Sequence, residues 1–361
     1  MISYEDLGRL NQPFFEAYQE SFKKTLESGW YILGKQVSEF ETAFANYNQS
    51  PYCVGLASGL DALVIALKAL DLPKNSEVIV TSNTCIATIL AVINAGCKPI
   101  LVEPHLATYN IDPNLIEEKI TPNTKAIMPT HLYGRICEMD KLEAICKKHQ
   151  LYLIEDCAQA HGAKYKGKQA GTFGEFGAFS FYPTKNLGAL GDAGALTMKE
   201  EVHFNKVKSL RNYGSAIKYH NDDIGFNSRL DEVQAGFLSV KLKHLDAINQ
   251  HKQALATLYF VGLKADFIKP HQHPDYEDVF HIFNIRHPKR DQLKKYLLDN
   301  KIGTEIHYPI PPHQQKGYQS FFKGEQYSIS EEIHQTTLSL PISFAHTKSD
   351  IEKVIEVING F

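Results

Sequence analysis

Four short apolar runs set the frame of this chain: Glu77-Val78-Ile79-Val80-Thr81, Pro99-Ile100-Leu101-Val102-Glu103, Lys125-Ala126-Ile127-Met128-Pro129-Thr130 and Leu151-Tyr152-Leu153-Ile154. None alternates strictly between apolar and polar residues, so each suits a strand covered on both faces. Between them lie segments with helical spacing, at 84–95 and 139–149, and a short helix opened by Asp112-Pro113. Alternation of this kind predicts an α/β fold, with a mostly parallel central sheet between layers of helices. Upstream, residues 52–56 read as a strand, and 13–28 and 37–47 as helices. Gly29 stops the first of these. Downstream, strands are expected at 178–182 and 195–198, and a long helix over 231–263. From about residue 246 the pattern changes to a strand at 279–285, a helix at 291–300 and a last helix opened by Thr347-Lys348-Ser349-Asp350. This predicts two domains: residues 1–245, a large α/β domain with its N-terminal arm, and 246–361, a small C-terminal α+β domain. The cleft between them is the expected site.

Two stretches carry candidate chemistry. Residues 180–194 hold one lysine, Lys185, in an apolar and glycine-rich run. A lysine that loses hydration is more easily neutral and nucleophilic, as a Schiff-base lysine must be. A loop lysine facing water is the plainer alternative. The second stretch is the strand at 151–154, which runs into Glu155-Asp156-Cys157-Ala158-Gln159-Ala160-His161-Gly162. Acids at the C-terminal end of a buried parallel strand sit where α/β sheets bind ligands. A third feature is the turn Ala57-Ser58-Gly59-Leu60-Asp61, which leads from a strand into a helix with apolar face Leu60, Leu63, Val64 and Leu67. Such a turn leaves backbone N–H groups free at the positive end of a helix, a natural phosphate seat. Ser58 as a plain helix cap is the alternative.

Charge and cysteine usage exclude several classes. A net charge of −3 gives no argument for nucleic acid or an anionic membrane. No apolar run approaches the ~20 residues of a membrane span. The start, Met1-Ile2-Ser3-Tyr4-Glu5-Asp6, has no hydrophobic signal core. The six cysteines form no CxxC pair and read as reduced thiols, so a cytoplasmic protein is expected. The histidines show no HExxH or similar pattern, and no metal is expected.

The order Glu155-Asp156-Cys157-Ala158-Gln159-Ala160-His161-Gly162, then Phe179-Ser180-Phe181-Tyr182-Pro183-Thr184-Lys185-Asn186, resembles the DegT/DnrJ/EryC1/StrS family. The likeness runs from Gly29-Trp30-Tyr31-Ile32-Leu33-Gly34 to His307-Tyr308-Pro309. These are pyridoxal-phosphate sugar aminotransferases with the aspartate-aminotransferase fold, fold type I. The resemblance implies pyridoxal 5′-phosphate held by Lys185 as a Schiff base, with Asp156 keeping the pyridine nitrogen protonated. It places Ser58, Gly59, Leu60 and Ser180 on the phosphate and Gln159 against the ring. It carries Asn227 to the phosphate of a neighbouring subunit, hence a homodimer with shared active sites. A helix cap is the other reading of Asn227. Relatives usually have an aromatic residue that stacks on the cofactor where this chain has Cys85. Either the alignment slips or stacking is weaker here.

The resemblance also implies a substrate. The run Lys185-Asn186-Leu187-Gly188-Ala189-Leu190-Gly191-Asp192-Ala193-Gly194 resembles the branch that aminates C3 of dTDP-3-keto-6-deoxyhexoses with L-glutamate as donor. The product would serve an amino-deoxysugar of a surface polysaccharide, such as a lipopolysaccharide O-antigen or S-layer glycan. Tyr182, His307 and Tyr308 match residues that contact the nucleotide-sugar. Core packing is the alternative for Tyr182. Tyr31 lies near the sugar by resemblance, or packs in a dimer interface with Trp30. Arg211 has the guanidinium fork that meets a diphosphate, or forms a surface ion pair. Residues 215–223 are expected as a mobile loop over the site. A C4 aminotransferase acting on a dTDP- or UDP-4-keto-6-deoxyhexose is the nearest rival. A dehydrating relative would need histidine in place of Lys185. A non-catalytic regulatory relative fits poorly with Lys185 and Asp156 intact. A dinucleotide fingerprint at Gly188, Gly191 and Gly194 fails, because it does not open a first βαβ unit.

Overall fold

The computed structural model describes residues 1–217 and 219–361. Among these the apolar runs assemble a seven-stranded sheet. Its strands are β1 (Tyr52–Leu56), β2 (Glu77–Thr81), β3 (Lys98–Val102), β4 (Thr124–Met128) and β5 (Tyr152–Asp156). A small hairpin of β6 (Lys164–Tyr165) and β7 (Lys168–Gln169) follows, then β8 (Phe176–Ser180) and β9 (Gly194–Met198). The order across the sheet is β1-β9-β8-β5-β4-β2-β3. Only β9 runs against its neighbours, so the sheet is mostly parallel, as expected.

The side chains of each strand divide between two cores, as period 2 requires. Val78, Val80, Leu101, Met128 and Ile154 enter one. Ile79, Val102, Ile127 and Leu153 enter the other. The helices are α1 (Leu7–Asn11), α2 (Phe15–Ser28), α3 (Lys35–Tyr47), α4 (Gly59–Ala69), α5 (Ile86–Asn94), α6 (Met139–His149), α7 (Glu201–Leu210), α8 (Glu232–Leu242), α9 (Leu245–Gly262), α10 (Arg290–Asp299), α11 (Ser328–Thr336) and α12 (Lys348–Ile358). Residues of α4, α5 and α7 line the first core, and those of α3, α6 and α8 the second. Phe40 and Phe44 of α3 set their rings edge-on to Phe181, at 5.4 and 5.3 Å. Burying such a ring stabilises by about 1.5–3 kcal/mol. Phe181 lies just before Lys185, so this packing fixes where the lysine loop begins.

Short strands β10 (Ser215–Ile217) and β11 (His220–Asn221) pair antiparallel, and β12 (Tyr276–Glu277) pairs with β6. A third core lies between α9, α10, α12 and the antiparallel pair β13 (Phe283–Arg286) and β14 (Thr337–Leu340). The first residues of the chain dock there. Ile2 bridges to Ile302, and the Tyr4 ring lies 5.8 Å from that of His307. The last helix opens with the expected capping box, Thr347 and Asp350 exchanging bonds.

Three expectations change. The long helix over 231–263 is two, broken at Lys243 and His244. No glycine or proline marks the break, where the His244 ring packs on Phe14 at 5.3 Å. Residues 215–223, expected as a loop over the site, carry the short β10–β11 pair. The amides of Asp222 and Asp223 donate to the Gly214 carbonyl, closing its base. Lys218, within that stretch, lies outside the described residues. The first long helix starts at Phe15, after a 3-10 turn at Gln12–Phe14, and the arm before it holds α1, capped by Asp6. Of its apolar stripe, Phe14 and Tyr18 are buried, while Phe15, Phe22 and Leu26 are exposed.

Candidate active site

Strand β5 ends in two adjacent acids that point to opposite sides of the sheet. Glu155 accepts the N–H groups of Gly171, Phe173 and Gly174 and pairs with His131 Nε2 at 3.0 Å. His131, Glu155 and Cys157 lie close enough together to suggest a metal. The Glu155 oxygens already bond to the 171–174 turn, however, and His131 Nδ1 accepts the Cys137 N–H. That cluster is internal scaffolding. Asp156 faces the other way and is buried. Its Oδ2 accepts the Thr88 hydroxyl at 2.7 Å and its Oδ1 the Ala158 N–H at 3.1 Å. Thr88 in turn meets Thr130 and Thr84, at 3.3 and 2.9 Å. Asp156 is therefore a carboxylate fixed in direction by groups that cannot neutralise it.

The lysine loop follows β8. Its turn is tight enough that a Cβ on Gly188 would lie 2.3 Å from the Pro183 carbonyl oxygen. The Lys185 amide donates to Tyr182 O at 2.8 Å. Lys185 is half-buried. Loss of water pushes its amine below the ordinary lysine range, against the opposing pull of Cys85 and Asp156. His161 and His307 face the same charge. Burial first, then Lys185, lowers them to about 3 and about 4. Both stay neutral near pH 7.

Residues Ser58, Gly59, Leu60 and Ser180 meet at the neighbouring strand ends, because Leu56, Gly194 and Ser180 are in register across β1, β9 and β8. Ser58 caps α4, its Oγ accepting the Asp61 N–H at 3.1 Å, which leaves its hydroxyl proton available. A Cβ on Gly59 would lie 2.4 Å from Ser180 Cβ, and one on Gly194 would lie 2.3 Å from Ser58 O. Only glycine lets these backbones approach. The N-terminus of α4 and the Ser58 and Ser180 hydroxyls thus come together at these strand ends, an arrangement that can hold an anion.

Gln159 is buried between two tyrosines. Its Oε1 accepts the Tyr133 N–H at 2.6 Å and its Nε2 donates to Tyr308 OH at 3.1 Å. His307 Nδ1 meets Ser339 Oγ at 2.9 Å, and Tyr133 OH donates to the His307 carbonyl. Cys85, at the N-cap of α5, lies beside Tyr308 and within electrostatic reach of Lys185. Its neighbours Asn83, Thr84, Ile86 and Ala87 include no aromatic residue, so a slip of alignment supplies no ring. Thr88 and Tyr133 were not foreseen. Thr88 lacks any local signal beyond its place in the first turn of α5, and Tyr133 acts partly through its backbone.

Arg211 requires correction. It is not a surface group: it is buried, and Nη1 donates to Glu41 and, at 2.8 Å, to Gly55 O. Its Nε is buried and finds no partner among the described residues. Tyr31 and Tyr182 are exposed, at 54% and 53%. Asn227 caps no helix. It is exposed on a separate groove with Ile32, Ala57, Gly191, Asp192 and Arg229, apart from Lys185.

The model of the DegT/DnrJ/EryC1/StrS aminotransferase family matches residues 15–359. The chain is 49% identical over 362 residues to the dTDP-3-amino-3,6-dideoxy-alpha-D-galactopyranose transaminase of Aneurinibacillus thermoaerophilus, covering 100% of this chain and 99% of that one. Among solved structures it is similar to S. venezuelae DesV in complex with a ketimine intermediate, with a TM-score of 0.96 and 39% identity over 99% of this chain and 98% of the other. It is also similar to ntda from Bacillus subtilis with bound cofactor PMP, with a TM-score of 0.93 and 30% identity over 99% of this chain and 84% of that one.

Proposed function

Because this chain belongs to the DegT/DnrJ/EryC1/StrS aminotransferase family, we propose that it is a pyridoxal-phosphate transaminase that moves an amino group from L-glutamate to C3 of a dTDP-3-keto-6-deoxyhexose. The observation that carries the chemistry is the pairing of a fixed carboxylate, Asp156, with a lysine of lowered basicity, Lys185, beside an anion seat. The observation that carries the substrate is the full-length likeness to a relative named for a 3-amino sugar nucleotide.

The residues present fit the cofactor. The close approach at Gly59 and the N–H groups of Gly59 and Leu60 at the start of α4 suit a phosphate, with the Ser58 and Ser180 hydroxyls as further donors. Asp156 suits a protonated ring nitrogen, since both its oxygens are oriented by hydrogen bonds. Gln159 is held to lie against the ring. When bound, pyridoxal phosphate supplies an electron sink and a carbonyl that condenses with amines. Asp156 holds the proton at the ring nitrogen. Lys185, its amine made easier to deprotonate by burial, would hold the cofactor by condensing with its carbonyl with loss of water and, once displaced by the donor amine, would take and return the proton at the substrate carbon. The neutral His307, with Tyr308 and Tyr182, faces the sugar nucleotide, and Tyr31 joins them from the partner-facing loop.

The wider setting belongs to the same reading. The chain divides into 1–245 and 246–361, supported by the separate core around α9, α10 and α12. It works as a homodimer, supported by the exposed Phe15, Phe22, Leu26, Trp30, Tyr31 and Ile32 on α2 and the loop after it. No described helix is long and apolar enough to cross a membrane, and the free cysteines fit the reducing cytoplasm. The product enters an amino-deoxysugar of a surface polysaccharide such as lipopolysaccharide. The test is product NMR after incubation with pyridoxal phosphate, L-glutamate and each dTDP-keto-6-deoxyhexose. A new amine at C3 supports the reading; an amine at C4, or none, refutes it.

A further inference from the structure

Four side chains hold His307. Its Nδ1 meets Ser339 Oγ at 2.9 Å, and the Tyr133 hydroxyl donates to its carbonyl oxygen. The Tyr308 ring stands edge-on to the imidazole, with centroids 5.4 Å apart and planes at 83°. The fourth is Tyr4, whose ring lies 5.8 Å away and is tilted by 37°. Its phenol end is also beside Ser339, the hydroxyl that meets Nδ1. His307 Nε2 has no partner among the described residues, so that nitrogen is left for a ligand. The charge of Lys185 reaches His307, which sets the ring close to the reactive lysine. Three of the four side chains come from the body of the fold. Tyr4 comes from the arm before α1, which the chemistry above does not use.

The arm is anchored on both sides of Tyr4. Ile2 bridges to Ile302: its N–H donates to Lys301 O at 2.9 Å, and its carbonyl accepts the Gly303 N–H at 2.8 Å. The Ser3 carbonyl accepts a hydrogen bond from His346 Nε2 at 2.9 Å. A Cβ on Gly303 would lie 2.9 Å from the Tyr4 nitrogen, so the arm runs tightly over that glycine. On the other side of Tyr4, Glu5 borders a small cavity with Lys185, Lys241 of α8 and Lys252 of α9. Lys241 and Lys252 are 1% and 3% exposed, and Glu5 is the carboxylate that acts on both. Withdrawing it would leave those buried charges without an opposing one, so this anchor resists release. Tyr4 is thus held in place between a backbone anchor and an electrostatic one, with its ring against His307.

We propose that Tyr4 is a positioning residue for the sugar-nucleotide half of the reaction: its ring backs the His307 imidazole and keeps the unpartnered Nε2 directed at the substrate. The proposal rests on the reading that His307 meets the sugar nucleotide. Tyr4 acts only through His307. Its loss frees one recognition group for that substrate and leaves Asp156 and Lys185, which serve both halves of the reaction, as they are.

The experiment follows the two half-reactions of the cofactor-loaded, full-length enzyme separately by cofactor absorbance, with L-glutamate and then with a dTDP-3-keto-6-deoxyhexose. Tyr4→Ala should slow the sugar half-reaction about tenfold at low substrate, as misplacing a binding group does, and leave the glutamate half within about twofold. Tyr4→Phe keeps the ring and should restore the sugar half. In a His307→Gln background Tyr4→Ala should add little, because the two residues act in series. Should Tyr4→Ala fail to fold, Tyr4→Leu keeps apolar bulk without a planar face, and the same one-sided loss is expected. Equal loss in both halves, or a full further loss on top of His307→Gln, overturns the proposal and leaves Tyr4 a packing role. An unmoved sugar half in Tyr4→Ala, where His307→Gln slows it, also overturns it. If His307→Gln leaves the sugar half unmoved, the placement of His307 against the substrate fails, and the proposal falls with it. Carbethoxylation of the His307 peptide by diethyl pyrocarbonate, read by mass spectrometry, needs no substrate. Tyr4→Ala should raise its rate several-fold, and an unchanged rate overturns the proposal. A wild type inert to every keto-sugar nucleotide strikes the substrate reading, and the labelling comparison then decides alone.

Discussion

Thr88 donates its hydroxyl proton to Asp156 Oδ2 over 2.7 Å, joining the first turn of α5 to the end of β5. A hydrogen bond to a charged group contributes about 1.5–3 kcal/mol, roughly 10–100-fold in a rate that depends on it. Thr88→Val keeps the shape and removes the donor. At saturating cofactor, kcat should fall about tenfold or more, with KM for glutamate little changed. Asp156→Asn should bind cofactor and lose several orders of magnitude in turnover. Near-normal kcat in either cofactor-loaded variant would remove Asp156 from its role.

Lys185 is the lysine of the 180–194 loop and the one that acts on both His161 and His307. Lys185→Ala should leave no borohydride-reducible adduct with pyridoxal phosphate, read as the mass of the reduced protein. The buried Lys252 and Lys241 make this a real test, since either could substitute if mere proximity sufficed. A labelled Lys185→Ala protein would move the assignment to one of them.

Arg211 is tied to Glu41, whose Oε1 also accepts the Gly55 N–H at 2.8 Å. Arg211→Met would strand a carboxylate that is largely out of water. Breaking one side of such a pair destabilises by about 3–5 kcal/mol. The urea midpoint should drop accordingly, while KM for the sugar nucleotide stays within about twofold. A large rise in KM at unchanged stability would restore the diphosphate role.

Three buried histidines set an acid limit. Burial lowers His161 to about 3 and His307 and His334 to about 4, from an ordinary value of 6.5. Below pH 6.5 the unfolded chain binds protons that the folded chain refuses, so stability falls as pH drops towards 4. Each such proton contributes a slope of about 1.4 kcal/mol per pH unit where it is fully expressed. Urea midpoints should decline from pH 7 to pH 5, and His334→Gln should flatten the decline. Equal midpoints at both pH values would show that the histidines are protonated in the folded state.

The parts of this site that were legible in the sequence are those carried by chain-local signals. Asp156 and Lys185 sit at the ends of apolar strands, and Ser58-Gly59 opens a helix, so strand burial and helix geometry point at them directly. The burial of Arg211 was not legible because its partner, Glu41, lies 170 residues away and no local pattern links the two. The break at Lys243 and His244 was missed for the same reason: a ring contact with Phe14 accompanies it and no glycine marks it. Thr88 and Tyr133 work through bonds to Asp156 and Gln159 that only the folded sheet brings within reach.

Asn227 supplies the test of the shared site. It lies exposed on a groove with Ala57, one residue from Ser58, yet it does not join the Lys185 cluster of its own chain. That placement suits a side chain that reaches a phosphate held by a second copy, in a C2 pair with two sites built from both chains. Asn227→Asp would set a carboxylate against that phosphate, and Lys185→Ala removes the reactive amine. Each variant alone should be inactive. In a mixed dimer, the chain that keeps Lys185 meets the partner that keeps Asn227, so one site is whole and the other carries both defects. Co-expression should restore up to about half of wild-type activity per mixed dimer, because one of two equivalent sites is repaired. Purification through two different affinity tags isolates that species. Confirmed heterodimers that stay inactive would place Asn227 within its own chain, and a fully active Asn227→Asp would remove it from the phosphate.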